Sequence, residues 1–168
     1  MKKVMMMIAM LAMTAAMQAQ TKFHDVEANE AKGPVKTMTV ESMMGQQVTN
    51  FSEDGKMQSS VMTDAIYDKD GYIQSAKMNV MGQSANVKFV WENGIISSRV
   101  IEANGQTIKT KYVYDSNGVV TSESIDFGGQ VMESPYSDYK FDDYGNWISR
   151  KASVMGQEII TTRSFTYF

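Results

Sequence analysis

Three groups of side chains carry atoms that could do chemistry. His24 stands with Asp25, Glu27 and Glu30, one imidazole and three carboxylates that together resemble a weak metal-ligand set. Acids come in pairs at Glu53 with Asp54, Asp68 with Asp70, and Asp142 with Asp143, the raw material for general acid and base in glycoside hydrolysis. Trp91, Tyr114 and Trp147 offer flat rings on which a sugar could stack, and Trp147 is out of step with the other aromatics, which makes it the first to test for ligand contact.

Each group has a structural explanation, and in each it is the favoured one; for the aromatics it is a cross-strand ladder that forms the core. One imidazole in a segment with no periodic pattern is a poor ligand set, so neither a metal nor a cofactor is expected. Glycoside hydrolysis needs two carboxyl groups about 5 to 9.5 Å apart in a cleft, one with a raised pKa, and neighbouring acids in solvated turns provide neither. Their recurrence along the chain also argues against a single active site, so no catalytic residue and no enzymatic activity are expected. Asp68-Lys69-Asp70-Gly71 resembles the start of a calcium loop, yet no Glu closes it at the twelfth position. With no cysteine and one histidine, thiol nucleophiles, disulfides and histidine-based triads are excluded. Asn50-Phe51-Ser52 fits a glycosylation sequon but overlaps a turn.

The turns explain the acids. Of the 12 glycines, ten fall into two interleaved series. The first reads aromatic, acid, spacer, Gly: Phe51 to Gly55, Tyr67 to Gly71, Trp91 to Gly94, Tyr114 to Gly118 and Phe141 to Gly145. Its structural residues are Asp54, Gly55, Asp68, Gly71, Gly94, Asp115, Gly118, Asp142 and Gly145. In such a turn the carboxylate caps backbone amides and the glycine takes positive φ in a type I turn with a bulge. The second series reads Gly-Gln, at Gly45, Gly82, Gly105, Gly129 and Gly156; between Gly55 and Gly71 a shorter turn near Thr63-Asp64 takes its place. Between turns side chains alternate, as in Val87, Phe89 and Trp91 against Lys88. The only leucine is Leu11, while Val, Ile, Thr and aromatics dominate the rest, a composition of strand formers. The expectation is an all-β chain: an antiparallel meander of about 10 to 12 strands in one twisted or curled sheet, with the aromatics stacked across strands on the buried face.

Organisation follows. Met1 to Ala19 reads as a signal peptide, with Lys2 and Lys3, an apolar run and a small residue at the cleavage point. Residues 20–35 lack alternation and are expected to form a loose leader, and residues 36–168 the repeat domain. Removing Lys2 and Lys3 from the 16 basic residues leaves 14 against 19 acidic ones, a net charge of −5, and no basic cluster suits nucleic acid. No later stretch has the roughly 20 apolar residues of a membrane helix.

The acid-and-Gly units resemble the YD repeat of Rhs, teneurin and toxin-complex proteins. Phe141-Asp142-Asp143-Tyr144-Gly145-Asn146 is the closest match, and Tyr114 to Gly118 and Tyr67 to Gly71 match its first half. The chain is also similar to small exported YD-type proteins of Bacteroidetes. The resemblance implies curved β-sheet rather than an activity, and five units are too few for the closed shells of the large relatives.

The expected role is non-catalytic: an exported periplasmic or surface module that binds a glycan or envelope protein, or a structural element, able to self-associate through sheet edges. The competing class is an outer-membrane β-barrel, since the chain ends on Phe168. Thr166, Ser164 and Thr162 share the face of Phe168, however, where lipid would require apolar residues. A carbohydrate-active hydrolase on the same scaffold would need a deep cleft with two convergent carboxylates.

Overall fold

The computed structural model describes residues 22–43, 45–80 and 83–168. The expected signal peptide lies outside the described residues, as do Gln20 and Thr21. One short helix, α1 (Asp25–Ala28), precedes twelve strands: β1 (Val35–Ser42), β2 (Gly45–Phe51), β3 (Met57–Gln58), β4 (Met62–Tyr67), β5 (Ile73–Val80), β6 (Gln83–Glu92), β7 (Ile95–Ala103), β8 (Gln106–Tyr114), β9 (Val120–Phe127), β10 (Gln130–Phe141), β11 (Trp147–Val154) and β12 (Gln157–Tyr167). All lie in one antiparallel sheet, the meander that turn spacing and composition imply.

The sheet order is β3-β2-β1-β12-β11-β10-β9-β8-β7-β6-β5-β4. Each strand pairs with its successor except β3 with β4, while β1 pairs with β12 from Val35↔Tyr167 to Glu41↔Thr162. The break in the sheet is therefore in mid-chain. Strands β3 and β4 are the two edges, yet only residues 59–61 separate them, a link that spans at most roughly 15 Å. Laid flat, twelve strands would be about 50 Å across. The sheet must therefore curl until its edges face each other, leaving an unpaired seam between β3 and β4.

Strand alternation places the acid-and-Gly turns at one end of the curl and the Gly-Gln turns at the other. Four acid-end turns share one backbone pattern: Gly55, Gly71, Gly118 and Gly145 each donate to the carbonyl three residues back, at Ser52, Asp68, Asp115 and Asp142. Asp68, Asp115 and Asp142 cap them through Oδ1, as Asp115 does toward the amides of Asn117 and Val119, both at 2.9 Å. In the first turn Ser52 holds this position, and Asp54 instead accepts from the Ser52 hydroxyl. Gly94 differs, following Asn93 with both at positive φ (53° and 78°), as in a two-residue type I′ hairpin.

The concave face carries the core. Ile73, Ala76, Val87, Phe89 and Ile96 form one cluster, against which Ala28 packs. Val35, Met38 and Phe51 form another with Val26 and Ala31. Helix α1 and its flanks thus lie inside the curl and touch both walls. This corrects the expected loose leader: residues 22–34 are docked, with Val26 and Ala31 each 2% exposed. A four-residue helix leaves no periodic signature, and much of its anchoring runs through backbone groups, which a sequence pattern does not display. A second correction concerns the turn expected near Thr63-Asp64. The chain reverses at residues 59–61 instead, and Asp64, at φ 51°, is a bulge in β4. The convex face is mixed: Lys77, Lys88 and Lys151 form ion pairs to Asp64, Glu102, and Asp138 with Glu158, beside exposed Val48, Val90, Val113, Val131 and Ile160.

Candidate functional site at the mouth of the curl

The repeated aromatics act as hydrogen-bonded struts. Trp91 Nε1 donates to the Ile73 carbonyl at 2.7 Å, the Tyr114 hydroxyl to Ile96 at 2.7 Å, and the Tyr139 hydroxyl to Val120 at 2.6 Å. Each acceptor lies two residues after the glycine of the preceding turn, so every strut ties one hairpin to the next. After Gly145 the same carbonyl belongs to Trp147, and Arg163 Nε fills it at 3.0 Å. In β10 the strut is Tyr139 rather than Phe141, because Asp138, at φ 52°, bulges the strand and shifts its register. Phe141 is left 45% exposed, stacked parallel on Tyr139 with centroids 5.6 Å apart.

The inner segment is held by charge as well as by apolar contact. Arg163, buried among the strands, donates to the Asn29 and Glu30 carbonyls at 2.8 Å each, with its guanidinium 3.5 Å above the Trp147 ring. Burial pushes that guanidinium down, to about 9, which leaves it charged at neutral pH. The Glu30 carboxylate accepts from Trp147 Nε1 at 3.0 Å and from Arg150 at 2.8 Å. Asn146 holds Lys32 through both its amide and its carbonyl, at 2.6 and 3.0 Å. These contacts satisfy backbone groups of the segment that follows α1.

At the seam Asp25, 1% exposed, uses Oδ2 to accept from the Met57 amide at 2.8 Å and the Tyr67 hydroxyl at 2.7 Å. Burial pushes its carboxyl up, and the two hydrogen bonds oppose that shift. His24, Asp25 and Glu30 do not converge: His24 stacks on Tyr72 at 3.9 Å, Asp25 turns to the seam, and Glu30 reaches Trp147.

A cavity of about 100 Å³ opens at the acid-turn end, between the inner segment and the turns at Gly94, Gly118 and Gly145. Tyr114, Phe141, Trp147 and Ile95 line it, with Glu27, Glu30 and Lys32 on the side of the inner segment. Glu27 Oε2 is buried there without a hydrogen bond, its nearest opposite group being His24 Nδ1 at 3.7 Å. Of the three expected ligand aromatics, the fold brings Tyr114 and Trp147 to this cavity. Trp91 lies elsewhere, its indole edge-on to Tyr72 at 4.9 Å. Trp147 itself is 6% exposed, so the accessible ring is that of Phe141. Sequence reasoning placed Phe141 in the aromatic ladder and missed its exposure; the bulge at Asp138 that frees it has no signal in residue type. No protein-family model matches this chain, and no curated protein matches it.

Proposed function

We propose that this protein is a non-catalytic exported binding module of the periplasm or cell surface, built from YD-like hairpins, and that its acid-end cavity receives the end of a glycan. The observation that carries this reading is the convergence of Tyr114 with Phe141 and Trp147, which pair across the neighbouring β10–β11 hairpin, on one cavity that is also lined by Glu27, whose Oε2 accepts no hydrogen bond. An accessible aromatic face beside a carboxylate and Lys32 suits a sugar ring, whose C–H face stacks while its hydroxyls take the polar groups.

Two features weigh against the competing classes. Ion-paired lysines on the convex positions of β5, β6 and β11 interrupt the exposed Val90, Val113, Val131 and Ile160, where a barrel in lipid needs a continuous apolar band. Three turn carboxylates are engaged by backbone amides as turn caps, and at Asp115 those hydrogen bonds hold the carboxyl below the usual carboxylate range, which suits a structural role at these positions better than that of a proton donor. The test is titration of the isotope-labelled protein with peptidoglycan fragments and short oligosaccharides, read by amide shifts. Shifts confined to residues around Ile95, Gly118 and Phe141, and lost in Phe141→Ala, support the reading. No shift with any saccharide, or shifts that survive Phe141→Ala, would overturn it.

A further inference from the structure

The seam is closed unevenly. Near the acid turns Asp25 accepts from both edge strands, but β3 is only two residues long and pairs with Asn50 and Phe51 alone. The rest of β2, residues 45–49, has β1 on one side and, among the described residues, no strand on the other. Turn spacing shows how much is missing. Gly55 and Gly71 are 16 residues apart, against 23 from Gly71 to Gly94 and 24 from Gly94 to Gly118. The first unit is therefore shorter by at least the seven residues that would carry β3 along the whole of β2, while β5 to β12 run to 8–12 residues each.

What the missing strand leaves over is main-chain hydrogen-bonding capacity. The Ser52 amide donates to the Lys56 carbonyl at 2.9 Å, so Ser52 turns its backbone toward the β3 side, as does Asn50 opposite Gln58. Backbone groups along a strand alternate between its two neighbours with period two, which turns the amides and carbonyls of Val48 and Gln46 the same way. Neither residue meets a backbone partner on that side among the described residues. The edge is also unguarded. Strand β4 has the bulge at Asp64 and the Asp64–Lys77 ion pair, devices that discourage strand pairing. Residues 45–49 contain no charge, no proline and no bulge, and Val48 is 57% exposed. We propose that residues 45–49 of β2 bind a short, extended, uncharged segment of a partner polypeptide, which adds a strand in line with β3. Amides and carbonyls repeating every second residue match the main chain of an extended peptide. A second folded copy fits this edge poorly, because β3 and the link at residues 59–61 occupy the same line from Asn50 onward. Alternate side chains of the bound segment lie beside Val48 on the outer face and beside Gln47 and Thr49 on the inner one, where uncharged, β-branched residues suit them best. This edge is separate from the glycan cavity, and the two readings stand or fall independently.

The probe is the capped peptide Thr-Val-Thr-Val-Thr, titrated to about 5 mM into the isotope-labelled chain, with Thr-Pro-Thr-Pro-Thr as the control that lacks alternate amide donors. The first peptide is expected to shift the amide signals of Gln46 and Val48, and the control is not. Val48→Pro removes an outward amide that β1 does not use, so the fold should persist, as circular dichroism will check, while binding weakens about tenfold or more. Gln46→Pro should do the same, and Val48→Thr, which keeps the amide, should bind as the parent does. No shift with the first peptide overturns the proposal, because main-chain recognition is tolerant of sequence. Equal shifts with the proline peptide, or normal binding by folded Val48→Pro, overturn it as well. Shifts of Gln46 and Val48 that appear without peptide as protein concentration rises would assign the edge to a second copy and overturn the partner assignment.

Discussion

Asp25 and Tyr67, 42 residues apart in sequence, meet across the open seam of the sheet: the Tyr67 hydroxyl, at the end of one edge strand, donates to Asp25 Oδ2 at 2.7 Å. The same oxygen accepts from the Met57 amide of the opposite edge strand. One carboxylate therefore stands where a neighbouring strand would supply an acceptor, and it couples both edges to the inner segment. An unprotected sheet edge invites pairing with another chain, and this edge is occupied from within.

Removing the Tyr67 hydroxyl should loosen the seam in particular. In Tyr67→Phe, Asp25 Oδ2 keeps only the Met57 amide inside a site that water does not reach, at a cost of about 1–3 kcal/mol. Hydrogen exchange should accelerate at Met57 while Ser134, buried in β10 on the far side of the curl from the seam, changes only with global stability. Unchanged exchange at Met57 would remove the seam latch from this account.

Two glycines with similar dihedral angles should respond differently to alanine. Gly71 and Gly118 have φ of 88° and 75°, so alanine strains either turn by about 1 kcal/mol. At Gly118 an added Cβ meets nothing within 4 Å, whereas at Gly71 it would lie 1.8 Å from the Lys22 carbonyl oxygen. Gly118→Ala should therefore show only the backbone penalty, and Gly118→Val a larger one. Gly71→Ala should in addition displace residues 22–24, which thermal melts combined with proteolysis of the N-terminal segment will separate. Equal melting temperatures for the two alanine variants would refute the close docking of Lys22.

Met155 precedes Gly156 in a hairpin turn where both residues have positive φ, 50° and 80°. Methionine resists that conformation and Asn accepts it, as Asn104 does before Gly105. The Met155 side chain is 88% exposed, so its replacement loses no packing. Met155→Asn should stabilise the protein by on the order of 0.5–1 kcal/mol, a rise of roughly 1–4 °C in Tm. A lower Tm would show that Met155 has a contact with the rest of the chain.

The sheet was legible in the sequence because its determinants are local. Asp115 and Gly118 specify a turn within four residues, and the alternation of Val87, Lys88 and Phe89 specifies a strand and its buried face. The curl and the site were not legible, because their determinants are long-range. Arg163 reads as a lone basic residue in a strand until the Asn29 and Glu30 carbonyls are seen against it, 134 and 133 positions away. Asp25 reads as one of several acids in an unpatterned segment until Met57 and Tyr67 close around it. The bulge at Asp138, which frees Phe141 and installs Tyr139 as a strut, depends on pairing with β11 and leaves no local pattern. Residue type identified Tyr114 and Trp147 as aromatics of interest, while the degree of their burial was a property of the curled sheet and the segment inside it.

The tyrosines supply a test of that curl as a whole. Burial raises the phenol pKa of Tyr67, Tyr112, Tyr114, Tyr136, Tyr139 and Tyr167, six of the eight in the chain, with Tyr167 pushed up to about 12. For Tyr67 and Tyr167 the neighbouring carboxylates Asp25 and Asp142 add to the effect of burial. The sign follows from linkage. Above about pH 10 the unfolded chain releases these protons while the native state retains them, so the stability they confer is complete below that pH and falls as pH rises toward the folded values. Tyrosinate absorbance should therefore lag the ordinary phenol titration and then rise together with the loss of β-sheet circular dichroism, as six buried phenols ionise on unfolding. A smooth titration of all eight tyrosines near pH 10 with the sheet signal intact would mean that the concave face is open to water, and the curl around the inner segment would have to be abandoned.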